Sequence, residues 1–199
     1  MPITYKNRKG RTYYLCRDLT KSGKPRYYFS RAPKGKLLKE IPEGYEIRES
    51  VNAVVSLVKI RPMQISEQET VLVFSALSKH PKEKNYRVDV KSKQITIYEH
   101  IGPSVEELAA STVEIFGIKL DKNKELIQWM EKEESSKAQF TSVMRFILAD
   151  SKKRHFNAQR MCYIGSIDDW IYIDRIRPLK ELVKRLIPAL GTDKLYELV

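Results

Sequence analysis

The chain has 199 residues, 42% of them hydrophobic and 31% charged, with a formal net charge of +12. That length supports one large core or two small ones, and the positive balance favours an anionic partner, nucleic acid first. No apolar run approaches the roughly 18 residues needed to cross a bilayer, and the opening MPITYKNRKG has no apolar segment of the kind a secretory signal carries.

Residues 4–31 read as a β-hairpin. Residues 12–16 (TYYLC) and 26–30 (RYYFS) are strand formers. Between them KSGKP supplies a turn, in which Gly23 accepts positive φ and Pro25 enters the second strand without needing a ladder hydrogen bond. Alternation puts Tyr13, Leu15 and Arg17 on one face, and Tyr14, Cys16 and Asp18 on the other. In the second strand Tyr27 and Phe29 lie opposite Arg26, Tyr28 and Ser30. One face must pack, and the other can present Tyr and Arg to a ligand. Residues 32–39 form a basic loop, and Pro42 and Gly44 suit a turn. Strands over 45–49 and 54–58 complete an expected four-stranded antiparallel module over residues 1–62.

Ser66 and Glu69 have capping-box spacing and begin a helix that Pro81 ends. A second hairpin follows over 86–98. Helices are expected from Ser104 to about Gly117 and from Asp121 to about residue 134, the latter amphipathic around Trp129. A nearly continuous apolar run within 140–149 predicts a central strand. Residues 156–164 return, 165–169 turn, and 170–173 make a short last strand. Pro178 opens a helix with Leu179, Leu182, Val183 and Leu186 inward. The fold class is α+β: a small N-terminal antiparallel sheet module, then a mixed domain over 66–199 with antiparallel hairpins and amphipathic helices.

The charge is unevenly spread. Residues 1–40 hold twelve Lys and Arg against Asp18 and Glu40, a net +10 of the chain's +12. Six aromatic residues share this stretch. Basic and aromatic side chains at strand spacing suit phosphate neutralisation and base stacking. The candidate contacts are Lys6, Arg8, Lys9, Arg11, Lys21, Lys24, Arg26 and Arg31, with Tyr14 and Tyr28 as stacking groups. The alternative is a solvated basic surface whose tyrosines fill a small core.

Other chemistry is weaker. Asp168 and Asp169 flank the last strand, and Asp150 sits at the turn before it. Together they could hold a divalent metal for phosphodiester cleavage, although Asp and Ser are also the default residues of turns. The three histidines have no metal-cluster spacing. Cys16 and Cys162 read as reduced thiols in a cytoplasmic protein. Glycine-rich phosphate loops and dinucleotide fingerprints are absent, so no cofactor is expected. A protein-interaction module without catalysis, using the helix around Trp129, is a further reading.

The runs KPRYYFSR, IPEGYEIRE and GSIDDW resemble those of an uncharacterised bacterial protein family, over most of the chain. No activity comes with that resemblance. The basic hairpin, residues 5–31, is also similar in composition to the small β-sheet arms that integrases lay in the DNA major groove.

Overall fold

The computed structural model describes residues 1–102, 137–164 and 167–198. They fall into two compact units: Met1–Arg61 with 137–138, and a second that begins at Pro62 and takes in Gln139 onward. The helices expected over 104–117 and 121–134, Trp129 among them, lie outside the described residues. No helix of the described chain is long and apolar enough to cross a membrane.

In the first unit, β1 (Thr4–Lys6), β2 (Thr12–Leu19), β3 (Pro25–Ser30) and β4 (Lys36–Leu37) form one antiparallel sheet. Strand β2 is central. β3 pairs along one edge, while β1 and β4 follow one another along the other. Ile3 and Leu38 stitch that second edge, through Leu15 N–H to Ile3 O at 3.1 Å and Leu38 N–H to Leu15 O at 3.0 Å. The hairpin turn closes with Gly23 at φ +76°, where a side chain would be strained.

β5 (Tyr45–Glu49) and β6 (Val55–Lys59) make a separate two-stranded ladder. Residues 1–61 therefore hold six strands in two sheets rather than four strands in one. β1 and β4 escape sequence reading because they are short. Strand β4 is two residues inside a Lys- and Gly-rich segment, and only its pairing with the distant β2 makes it a strand.

The second unit opens with α1 (Glu67–Leu77). Its capping box is formed: Ser66 Oγ accepts from Glu69 N–H, and Glu69 Oε2 accepts from Ser66 N–H at 2.8 Å. The main sheet runs β11 (Ile167–Tyr172), β10 (His155–Ile164), β9 (Gln139–Asp150), β8 (Gln94–Ile101), β7 (Tyr86–Lys91), with β12 (Arg177–Pro178) also on β10. All its described pairings are antiparallel. α2 (Leu179–Leu186) and the short α3 (Lys194–Glu197) follow.

The core lies on one sheet face. Ile95, Ile97, Met144, Phe146, Phe156 and Ala158 are fully buried there. Val73 and Leu77 of α1 join them, with Leu179, Leu182, Val183 and Leu186 of α2 at the i, i+3, i+4, i+7 spacing of one helical stripe. A bulge sets Val143 beside Met144, since Ile97 pairs with Met144 and Tyr98 with Ser142.

Among the described residues the architecture is antiparallel sheet with a few short helices, consistent with an α+β class in which sheet predominates. One expected turn is a strand instead: Asp168 and Asp169 lie within β11, paired with Tyr163 and Cys162. Ladder pairing with β10 outweighs the turn preference of Asp at this point.

Candidate nucleic-acid interface

The two faces of the N-terminal sheet differ in what covers them. On the inner face, Tyr27 meets Tyr45 of β5 edge-on, with ring centroids 5.5 Å apart and planes at 67°. Tyr5 donates its hydroxyl to Glu49 Oε2 at 3.1 Å, which holds the phenol above its ordinary pKa. Asn7, itself buried, donates to Ala53 O at 2.7 Å. The β5–β6 hairpin is thus fastened to the face that carries Tyr5, Tyr13, Leu15, Arg17, Tyr27 and Phe29.

The outer face follows from register. Thr4, Tyr14 and Ser30 form one row, Leu37, Cys16 and Tyr28 the next, and Asp18 with Arg26 the third. Lys6 opposite Thr12 continues this face at the other end. Tyr14 and Tyr28 are therefore diagonal neighbours, each partly buried, and Arg26 and Lys6 are exposed. Cys16 alone in these rows is fully buried, with Tyr28 and Leu37 on either side of it.

Tyr28 is held in place. Its hydroxyl donates to Asp18 Oδ2 at 3.0 Å, and the Arg26 guanidinium carbon is 5.9 Å from its ring centroid. The bond to Asp18 raises the phenol's pKa, because ionising it would place two negative charges together. The chain passes close by at Gly35, with φ +62°. A Cβ there would come 3.3 Å from Tyr28 Oη and 3.2 Å from Asp18 Oδ1. Asp18 and Gly35 are parts of this site that sequence reading missed. Gly35 between two lysines was a visible signal of a tight approach.

The basic residues sort into two groups. Arg8 pairs with Glu49 at 3.6 Å, and its backbone N–H also reaches that carboxylate. Lys9 donates to Ala138 O at 2.8 Å, and burial followed by the charges of Arg8 and Arg11 lowers its pKa. By contrast Lys6, Arg11, Lys21, Lys24, Arg26 and Arg31 are exposed. Among the described residues no carboxylate oxygen lies within ion-pair distance of them. Lys21, Lys24 and Arg26 cluster at the β2–β3 turn end, Lys6 and Arg11 at the opposite end of the sheet, and Arg31 follows β3 directly.

The acidic candidates are not brought together. Asp150 pairs with His155 and Asp168 with Tyr163, eight residues along β10. At about 3.3 Å per residue that is roughly 26 Å. Asp168 and Asp169 are consecutive on a strand, so they point to opposite faces. Asp150 Oδ1 accepts the backbone N–H of Lys152 at 2.8 Å and of Lys153 at 2.9 Å, a turn-closing role. The Lys153 amide is the main cause of its lowered pKa. Asp169 Oδ1 accepts the N–H of Trp170 at 2.7 Å. No group of three potential ligands close enough for a metal occurs among the described residues.

Comparison with protein-family models, curated proteins and solved structures gave no match.

Proposed function

We propose that the chain binds nucleic acid through the outer face of its N-terminal sheet. The observation that supports this is a division of labour in one small sheet. The inner face is fastened to the β5–β6 hairpin, while the outer face keeps Tyr14 and Tyr28 between exposed cations that have no carboxylate partner among the described residues. Lys21, Lys24, Arg26, Lys6, Arg11 and Arg31 contact phosphates. Tyr28, fixed by Asp18, and Tyr14 beside it offer rings to bases or sugars.

Lys9 and Arg8 contribute less, because each already has a partner within the fold. Binding of this kind is salt-dependent. About six phosphate contacts give a log–log slope of about −5.4 on duplex and about −4.2 on single strands.

The test is fluorescence anisotropy with labelled duplex and single-stranded oligonucleotides at several salt concentrations. Binding that weakens along such a slope and is lost when Lys21, Lys24 and Arg26 are all changed to Glu supports the reading. No binding at low salt, or binding indifferent to that triple change, removes it.

A further inference from the structure

Arg160 sits where a cation is least expected. Register places it in one row with Ile97, Met144 and Ile171 across four strands. Ile97 and Met144 are fully buried, and Ile171 packs against the core. Arg160 itself is only 7% exposed. A guanidinium cannot shed its proton in a protein, so burial cannot neutralise it as it does a lysine or carboxylate. Buried charges are normally paired for that reason.

Among the described residues this one has no carboxylate partner. Nη2 donates to the backbone carbonyl of Tyr196 at 3.0 Å. Nε is buried with no acceptor. Among the described residues no carboxylate lies within 4.0 Å of the guanidinium. Glu99, on the same sheet face, accepts instead from the Tyr86 hydroxyl at 2.8 Å. Arginines elsewhere in this unit contrast with it: the nearly inaccessible Asp174 receives both Arg177 and Arg185, each at 3.1 Å.

Above Arg160 lies a thin cover. The Tyr196 ring centroid is 5.3 Å from the guanidinium carbon, and Tyr196 is 54% exposed. It belongs to the single turn of α3, anchored on the core by Leu195. Thus the half-exposed Tyr196 supplies both the ring and the carbonyl that meet this guanidinium.

We infer that Arg160 is the anchor of a binding site for a small oxyanion, a carboxylate or phosphate group, which enters by displacing the Tyr196 side chain. The anion supplies the missing counter-charge and accepts from Nε, and charge-assisted hydrogen bonds of this type are the strong ones. The site is independent of the N-terminal sheet, and nucleic acid is not its ligand, since a 7% exposed side chain admits only a small group.

The experiment follows the Arg Nε–H resonances of the full chain by NMR, the Arg160 signal being the one missing in Arg160→Met. Sodium phosphate and sodium acetate are titrated separately against sodium chloride of equal ionic strength. Saturable movement of the Arg160 Nε–H signal with phosphate, acetate or both, absent with chloride, is expected, and which of the two acts identifies the class of anion. Calorimetry should show that site lost in Arg160→Met, and at least about ten-fold weaker in Arg160→Lys, which keeps the charge without the planar fork. If Arg160→Met does not fold, Arg160→Lys decides alone. An Arg160 signal indifferent to both anions, or undiminished affinity in Arg160→Lys, overturns the inference. Anisotropy with oligonucleotides should be the same for wild type and Arg160→Lys.

Discussion

The two units spend arginine in opposite ways. In the second, Arg145 donates to Gln159 Oε1 at 2.7 Å and stacks 4.1 Å over Trp170. Arg154 clamps Glu69 and Gln64, and Arg177 and Arg185 share Asp174. These side chains are staples: each closes a contact between elements distant in sequence or fastens a turn. In the first unit Arg8 pairs with Glu49, while among the described residues no carboxylate lies within ion-pair distance of Lys6, Arg11, Lys21, Lys24, Arg26 or Arg31. Both units are rich in Lys and Arg, so the count of cations alone does not show which of them are available. Partnership does, and an unpartnered cation on an exposed face is the kind available to an external anion.

The largest test of this contrast is a charge reversal in each unit. Changing Lys21, Lys24 and Arg26 together to Glu should weaken oligonucleotide affinity by about a thousand-fold at 50 mM salt, given several lost phosphate contacts. The thermal midpoint should fall only modestly: among the described residues none of the three has an ion-paired carboxylate to lose, and the cost is the new carboxylate that Arg26→Glu sets opposite Asp18. Next comes Glu69→Ala, which removes both the capping-box acceptor and the partner of Arg154. About 2 kcal/mol of stability should go, measured by urea unfolding, with oligonucleotide binding intact.

Glu69 also carries a pH signature. Burial raises its pKa, but the hydrogen bonds from Arg154 and Ser66 outweigh that, and the folded value lies below the ordinary 4.5. A depressed carboxylate adds stability that is present above its unfolded pKa and lost as pH falls through the folded one. Stability of wild type should therefore decline below about pH 4.5 more steeply than that of Glu69→Ala.

Much of this was legible beforehand where signals were local. Ser66 and Glu69 announce their capping box, and Leu179, Leu182, Val183 and Leu186 announce their stripe. The alternation of Tyr13 to Asp18 assigned both faces of β2 correctly. It could not say which face packs, since that depends on where β5 and β6 fold back, a contact across more than fifteen residues. The same limit hid β4, whose pairing with β2 spans a loop, and misread Asp168 and Asp169, whose turn propensity yields to a ladder. Arg160 was invisible for a related reason. Nothing local distinguishes an arginine that faces the core from one that faces out, until register aligns it with Ile97 and Met144.

Within the outer face, Tyr28 should matter more than any single cation. Tyr28→Ala should weaken single-stranded binding roughly ten-fold by removing a stacking ring, whereas Tyr28→Phe should lose less, keeping the ring without the Asp18 bond. Asp18→Asn should leave stacking in place and, by deleting a negative charge beside Arg26, strengthen binding slightly.

The smallest expected effect is the sharpest check on partnership as the criterion. Lys9 lies in the most basic stretch of the chain and would rank with Lys6 and Arg11 on charge alone. Its ammonium is instead partly buried and engaged with the Ala138 carbonyl, and burial lowers its pKa. Lys9→Met should therefore change oligonucleotide affinity by no more than about two-fold, and the salt slope hardly at all, while Lys6→Met and Arg11→Met each lower the slope by about one contact. Equal losses for all three would show that position in the basic stretch governs binding and partnership does not.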